Sequence, residues 1–229
     1  MGKHEYRLVR SKRKTLAVYI LPDTRVEVRA PLRMPLSAIE AFVTSRSEWI
    51  ETHLKIAQDR LEQQAGYSAG EGEKVLFLGK EYTVRLTESS TVLLTEGVFS
   101  LPMDERERRR ALTEWYRQKA MSRLPEIAEK WKSFTGIECR KVTVGGAASR
   151  WGSCNSKNDI RLSWRLILLP EGLIDYVVVH ELCHTLQHNH SPAFWNEVER
   201  FLPQCLLMRK KLREMERKYL CQMNWLNSV

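Results

Sequence analysis

The stretch VVVHELCHTLQHNHSPAFW, residues Val177–Trp195, holds four of the chain's six histidines: His180, His184, His188 and His190. They follow directly on a run of valines. β-Branched apolar residues belong in a core, whereas imidazoles gathered there need a reason. The spacing supplies one. His180-Glu181-Leu182-Cys183-His184 is an H-E-x-x-H sequence, and on a helix residues i and i+4 share one face, a turn apart. Both imidazoles then reach a single metal ion. Glu181 projects about 100° round from His180, beside that face, where it can hold a metal-bound water without occupying a coordination position. Ile174, Val177 and Val178 lead into the motif and predict that its helix is buried. The competing reading is two satisfied helix histidines with no metal.

A third ligand follows from helix geometry. His188 continues the i, i+4, i+8 stripe, but eight residues of helix span about 12 Å, while histidine ligands sit about 2 Å from zinc. The chain must turn back. Asn189 tolerates the left-handed conformation that ends helices, and Ser191-Pro192 reads as N-cap and first turn of the next helix. His190 therefore sits in a corner that can bring it over the metal, and His188 is expected at the surface or behind the ligands. If His190 fails, a downstream carboxylate such as Glu197 or Glu199 takes its place.

Composition bounds the rest. The chain has 229 residues, 43% hydrophobic and 28% charged, which suits a soluble protein of one large or two small domains. Lys and Arg number 37 against 28 Asp and Glu, a net charge of +9. Contact with nucleic acid is permitted, not required, because the clusters Arg7–Lys14, Arg106–Arg110 and Arg209–Lys218 are dispersed and read as solvated surface. Five cysteines without a C-x-x-C argue against a disulfide framework and for a reducing compartment. The N-terminus lacks an apolar signal region, and no apolar run approaches the ~20 residues of a membrane span. The expectation is a cytoplasmic protein with no membrane contact.

The elements read as follows. TLAVYILP and TRVEVRAP flank Asp23 as a hairpin, and a helix is predicted from Ser37 to about Gln64. Lys74–Pro102 reads as a small β meander with Gly79 and Gly97 at turns. A long helix follows between an Asp104 N-cap and a Gly136 stop, with Pro125 expected to kink or divide it. KVTVGG and DIRLSWRLILLP read as strands joined by AASRWGSCNSKN. The motif helix starts near Glu171, and Pro192 opens a helix to about Lys211. A boundary is expected near residue 103: residues 1–102 as a β-rich region with one long helix, residues 103–229 as the metal-binding catalytic domain.

The segment SRWGSCNSKNDIRLSWRLILLPEGLIDYVVVHELCHTLQHNHSPAFW, Ser149–Trp195, resembles the YgjP-like metallopeptidases, a family similar in its core to SprT-type zinc proteases and minimal gluzincins. The marks are R-W-G-S-C at Arg150–Cys154, the pair Trp164 and Arg165, H-E-L-C-H, and N-H-S-x-x-F-W at Asn189–Trp195. Its strong part covers about residues 147–200. The resemblance implies an α+β, zincin-like domain with the active-site helix on a small mixed sheet. It also implies one zinc ion on His180, His184 and His190, Glu181 as general base, and a peptide or protein substrate.

Zincins lay an edge strand along the cleft, so Arg150 and Trp151 are candidates to line the substrate; packing for Trp151 and a turn at Gly152 are equal alternatives. Cys154 and Cys183 are disfavoured as extra ligands. Phe194, Trp195 and Val198 read as core. Asp175 and Glu197 read as surface residues or as partners of the ligand imidazoles. Two rival functions share these residues. One is metal-dependent hydrolysis of a nucleotide phosphoanhydride, for which no P-loop is present; the other is a nucleic-acid-associated module with a structural metal, which would have no need of Glu181.

Overall fold

A computed structural model describes residues 5–21 and 23–227. It divides into two compact units, Met1–Gly66 and Tyr67–Val229. In the first, β1 (Arg7–Ser11), β2 (Ala17–Ile20) and β3 (Val26–Pro31) form a sheet in the order β1-β3-β2. The expected hairpin is the antiparallel pair β2–β3, and β1, inside a segment whose charge reads as surface, lies parallel to β3. The expected single helix is two, α1 (Leu36–Ser45) and α2 (Ser47–Gly66). Arg46 leaves helical geometry at φ −109°, ψ 9°, next to Ser45, whose hydroxyl donates back to the Phe42 carbonyl. Val26, Val28, Ala30, Ile39, Val43 and Ile50 make this unit's core.

The second unit opens with β4 (Lys74–Phe77), β5 (Lys80–Thr87), β6 (Leu93–Thr95) and β7 (Val98–Pro102). Their order is β4-β5-β7-β6, with β5 and β7 parallel. This is two hairpins side by side, not the expected meander. Each hairpin turns on two residues with positive φ, Leu78-Gly79 and Glu96-Gly97, the type I′ pattern that matches strand twist. Gly79 has a second constraint: an added Cβ would lie 2.5 Å from Pro170.

Helix α3 (Glu105–Thr135) is capped as its sequence predicts. The Asp104 carboxylate accepts from the Glu107 amide at 2.8 Å, and Gly136 closes the helix at φ 70°. Pro125 does not divide it. The carbonyl deprived of its donor belongs to Met121, a residue on the exposed side of the helix, where water can replace the lost bond. The composition change near residue 103 thus falls inside a compact unit. Phe99 of β7 meets Trp115 of α3 at 5.0 Å, and the Tyr116 hydroxyl donates to the Leu76 carbonyl of β4 at 2.7 Å.

Strands β8 (Lys141–Gly145), β9 (Gly152–Cys154) and β10 (Asp159–Ser163) form a mixed sheet ordered β8-β10-β9. R-W-G-S-C was expected just before a strand; its last three residues are one, antiparallel to β10. Trp164–Leu168, expected as strand, is a 3-10 helix with Ser163 as its cap, buried throughout. Helix α4 (Glu171–Cys183) follows. Then come α5 (Pro192–Phe201), α6 (Cys205–Lys218) and α7 (Leu220–Asn227). The helix expected to reach Lys211 stops at Phe201, because Pro203 forces Leu202 out of helical geometry, to φ −132° and ψ 82°. Leu173, Ile174, Val177, Val178, Val179 and Leu182 are all buried, so α4 is apolar around its circumference, as a central helix must be. It packs on α3, α5, α6, β9 and β10. The fold is α+β, its motif helix set on a small mixed sheet. Among the described residues, no helix is long and apolar enough to cross a membrane.

Candidate metal centre

Helix α4 ends sooner than its sequence suggests. His184 is its C-cap, and the next turn tightens, with the Thr185 amide donating to the Leu182 carbonyl and the Leu186 amide to that of Cys183. Asn189 is not left-handed, since it is absent from the residues with positive φ. Its side-chain carbonyl instead accepts from the Ser191 amide at 3.1 Å, a local turn of the kind Asn makes without a strained backbone. Ser191 and Pro192 do start the next helix: the Ser191 hydroxyl accepts from the Phe194 amide, and Pro192 stands in the first turn.

This corner brings three imidazoles together. One ring nitrogen from each of His180, His184 and His190 lies within 4.8 Å of the others. Nε2 of His180 and Nε2 of His190 are 3.1 Å apart. Two nitrogens bound to a tetrahedral zinc at about 2.0–2.1 Å stand about 3.3 Å from one another, so the spacing of this pair suits that ion. His188 is exposed and outside the group.

The protonation states suit a cation as well. Burial drives the His180 imidazole down to about 3, and it also lowers His184, which leaves both neutral, the form that binds metals. His184 Nδ1 lies 3.0 Å from the Gln187 carbonyl. A carbonyl only accepts, so the proton sits on Nδ1 and the Nε2 lone pair is free to ligate. His180 Nδ1 is buried without a partner among the described residues.

Glu181 is 6% exposed and points at β9. An added Cβ on Gly152 would stand 2.6 Å from both Cγ and Oε1 of Glu181, so the carboxyl group occupies the space where a side chain would be. Burial raises Glu181 to about 7, with the Arg150 charge opposing. That is the range in which a carboxylate takes and returns protons near neutral pH.

The aromatic residues expected as core divide. Val198 and Phe194 are fully buried, but Phe194 also stacks on His184, ring centres 4.3 Å apart. Trp195 is half-buried with its ring 5.9 Å from His180 and 5.8 Å from His190, and the Arg209 guanidinium lies over that ring, 5.0 Å from its centre. Neither Cys154 nor Cys183 joins the imidazoles; burial lifts their thiols to about 11 and about 12, far from the thiolate a metal needs. Asp175 accepts from the Trp131 indole at 2.7 Å and ties α4 to α3. Glu197 pairs with Arg200 at 3.7 Å. Trp151 packs against the core and donates its indole N–H to Glu216 at 2.5 Å, while Arg150 is exposed.

Sequence reading missed two contributors. Gly152 was quoted in R-W-G-S-C, yet its role as space for Glu181 depends on a residue 29 positions away. The Gln187 carbonyl is main chain, which no side-chain pattern reveals.

The family model described as YgjP-like, metallopeptidase domain, matches residues 14–215. No curated protein matches the chain. Among solved structures, the metallopeptidase zymogen of Pyrococcus abyssi abylysin is 21% identical with a TM-score of 0.38, over 41% of this chain and 95% of its own. The metallopeptidase zymogen of Methanocaldococcus jannaschii jannalysin is 20% identical with a TM-score of 0.37, over 40% and 95%.

Proposed function

The chain belongs to the YgjP-like family of metallopeptidase domains, and from that premise we propose that it is a zinc peptidase whose chemistry lies on α4 and the corner after it. His180, His184 and His190 hold one zinc ion per chain, and Glu181 is the general base. The observation that carries this is the convergence of three imidazole donor atoms within 4.8 Å, with the carboxyl of Glu181, the residue after His180, held against Gly152. When bound, zinc supplies polarisation of the scissile carbonyl and makes water acidic enough to attack near neutral pH.

The protein's own groups do the rest. Gln187 orients His184, and Phe194 and Trp195 pack against the rings of His184 and His180 and leave His190 open to solvent. Glu181, already near 7, accepts the proton of the attacking water and hands it to the leaving amine. Strand β9 stands at the edge of its sheet, where an extended peptide can add as a further strand, and Arg150 and Trp151 lead into that edge. All five cysteines are free thiols, which suits a reducing compartment, and we place the protein in the cytoplasm. The family does not favour the phosphoanhydride reading.

The test couples metal analysis to a mass-spectrometric screen of peptide cleavage. Wild type carries about one zinc per chain and cleaves; Glu181→Gln keeps zinc and loses roughly 10²–10⁴-fold in kcat/KM. Cleavage by Glu181→Gln at the wild-type rate contradicts the assignment.

A further inference from the structure

Beside the R-W-G-S-C segment lies a pocket of about 270 Å³, lined by Ser149, Arg150, Trp151, Arg165, Glu216 and Asn227 among others. Arg165 is the unusual member. It is 7% exposed, yet every acceptor it reaches is neutral. Its Nη1 donates to the carbonyls of Gly146 at 3.0 Å and Ala147 at 3.2 Å, and its Nη2 to the side-chain carbonyl of Asn227. Its Nε is buried with no partner among the described residues. Beneath the guanidinium lies the face of Trp164, 4.4 Å away. A buried cation ordinarily has an anion beside it, because removal from water is costly and only an opposite charge offsets it well. Glu216, the one acid among the described lining residues, is engaged by the Trp151 indole. Arg150, on the pocket wall, adds a second cation.

We propose that this pocket is a carboxylate-binding subsite for the peptide substrate, with Arg165 as its buried cation and Arg150 as its exposed one. The proposal rests on the peptidase reading above. A carboxylate supplies the opposite charge that the Arg165 guanidinium lacks, and the poorly solvated setting strengthens the pairing. The volume falls just below the ~300–1,000 Å³ of pockets that enclose drug-sized ligands, so it suits one side chain or one terminal residue rather than a nucleotide. Location fits too. The pocket is lined by Arg150 and Trp151, which lead directly into the Gly152 that accommodates Glu181. A substrate carboxylate held there would fix the register of a peptide lying along β9, and would make cleavage selective for acidic or terminal positions.

The Trp151 indole N–H reports on this pocket without any turnover. Protein with ¹⁵N-labelled tryptophan, carrying Glu181→Gln so that peptides stay intact, is titrated with three probes. These are acetyl-Gly-Glu-amide, with a side-chain carboxylate only; acetyl-Gly-Gln, with a C-terminal carboxylate only; and acetyl-Gly-Gln-amide, with neither. Trp151→Phe assigns the signal. At least one carboxylate probe is expected to shift it saturably, about tenfold or more tighter than the neutral probe, and which one does so names the source of the carboxylate. Arg165→Gln is expected to abolish the difference, and Arg150→Gln, a change at an exposed residue that leaves the buried guanidinium in place, to reduce it severalfold. Equal binding of all three probes, no binding by any, a full preference that survives both Arg165→Gln and Arg150→Gln, or tighter binding of inorganic phosphate than of either carboxylate would each overturn the subsite. A protein that cleaves peptides without this preference loses the subsite alone. One that binds carboxylates yet cleaves nothing loses the peptidase reading.

Discussion

Helix α4 and strand β9 meet at Glu181, and they differ in almost every physical respect. The helix spans thirteen residues, Glu171–Cys183, most of them buried, and is fixed by three neighbouring helices, α3, α5 and α6, and by the sheet beneath. The strand has three residues, Gly152–Cys154, all half-buried at a sheet edge. Two of the three proposed ligands, His180 and His184, and the proposed base Glu181 lie on or at the end of this helix, where a core holds a side chain to within fractions of an ångström; His190 comes from the exposed corner that follows. The softer side is where we propose that the backbone meets a substrate. On this reading the general base is set in the core and the substrate strand at an edge.

Gly152→Ala tests that separation most severely. Its Cβ would displace the Glu181 carboxyl, and a misplacement of about 1 Å costs roughly 10²-fold in rate. Activity should fall by about that factor while zinc content stays at the wild-type level. Unchanged kinetics would mean that Glu181 is not held against β9, and the contrast between the two sides would dissolve.

A smaller effect is expected at the corner. Ser191→Ala removes the cap of α5 and should lower stability by about 0.5–2 kcal/mol, read as a shifted urea midpoint, with zinc affinity weakened because His190 loses its support. If affinity is untouched, the corner is held by the packing of Phe194 instead. The smallest effect should come from Asp175→Asn. It weakens the bond to Trp131 that fastens α4 to α3, at a cost of about 0.5–1.5 kcal/mol, with kcat and zinc affinity as in wild type. A loss of metal in that variant would show that the helix is less rigid than its burial implies.

The same contrast explains what could be read from residues alone. The triad was legible because its geometry is local: four residues of helix and a six-residue corner place three imidazoles whatever surrounds them. The caps of α3 were legible for the same reason, since Asp104 and Gly136 act on their own helix. The parallel pairing of β5 with β7 was not, because it depends on which hairpin edges meet. Trp164–Leu168 is a continuous apolar run, and such a run has no period to separate strand from a buried turn of helix. Asn189 led to the right corner by the wrong conformation, as its side chain, not its backbone, makes the turn. Gly152 and Arg165 act through distant partners, and their roles emerge only from the fold.

The central claim is that the corner after α4 delivers the third ligand. Zinc affinity of His190→Ala and His188→Ala, measured by competition with a chelator, tests it directly. Loss of even a residue that supports a ligand weakens metal binding 10–100-fold, so His190→Ala should fall by at least about 10²-fold, whereas His188→Ala, exposed and outside the cluster, should match wild type. Loss of zinc from His188→Ala with retention in His190→Ala would contradict the account.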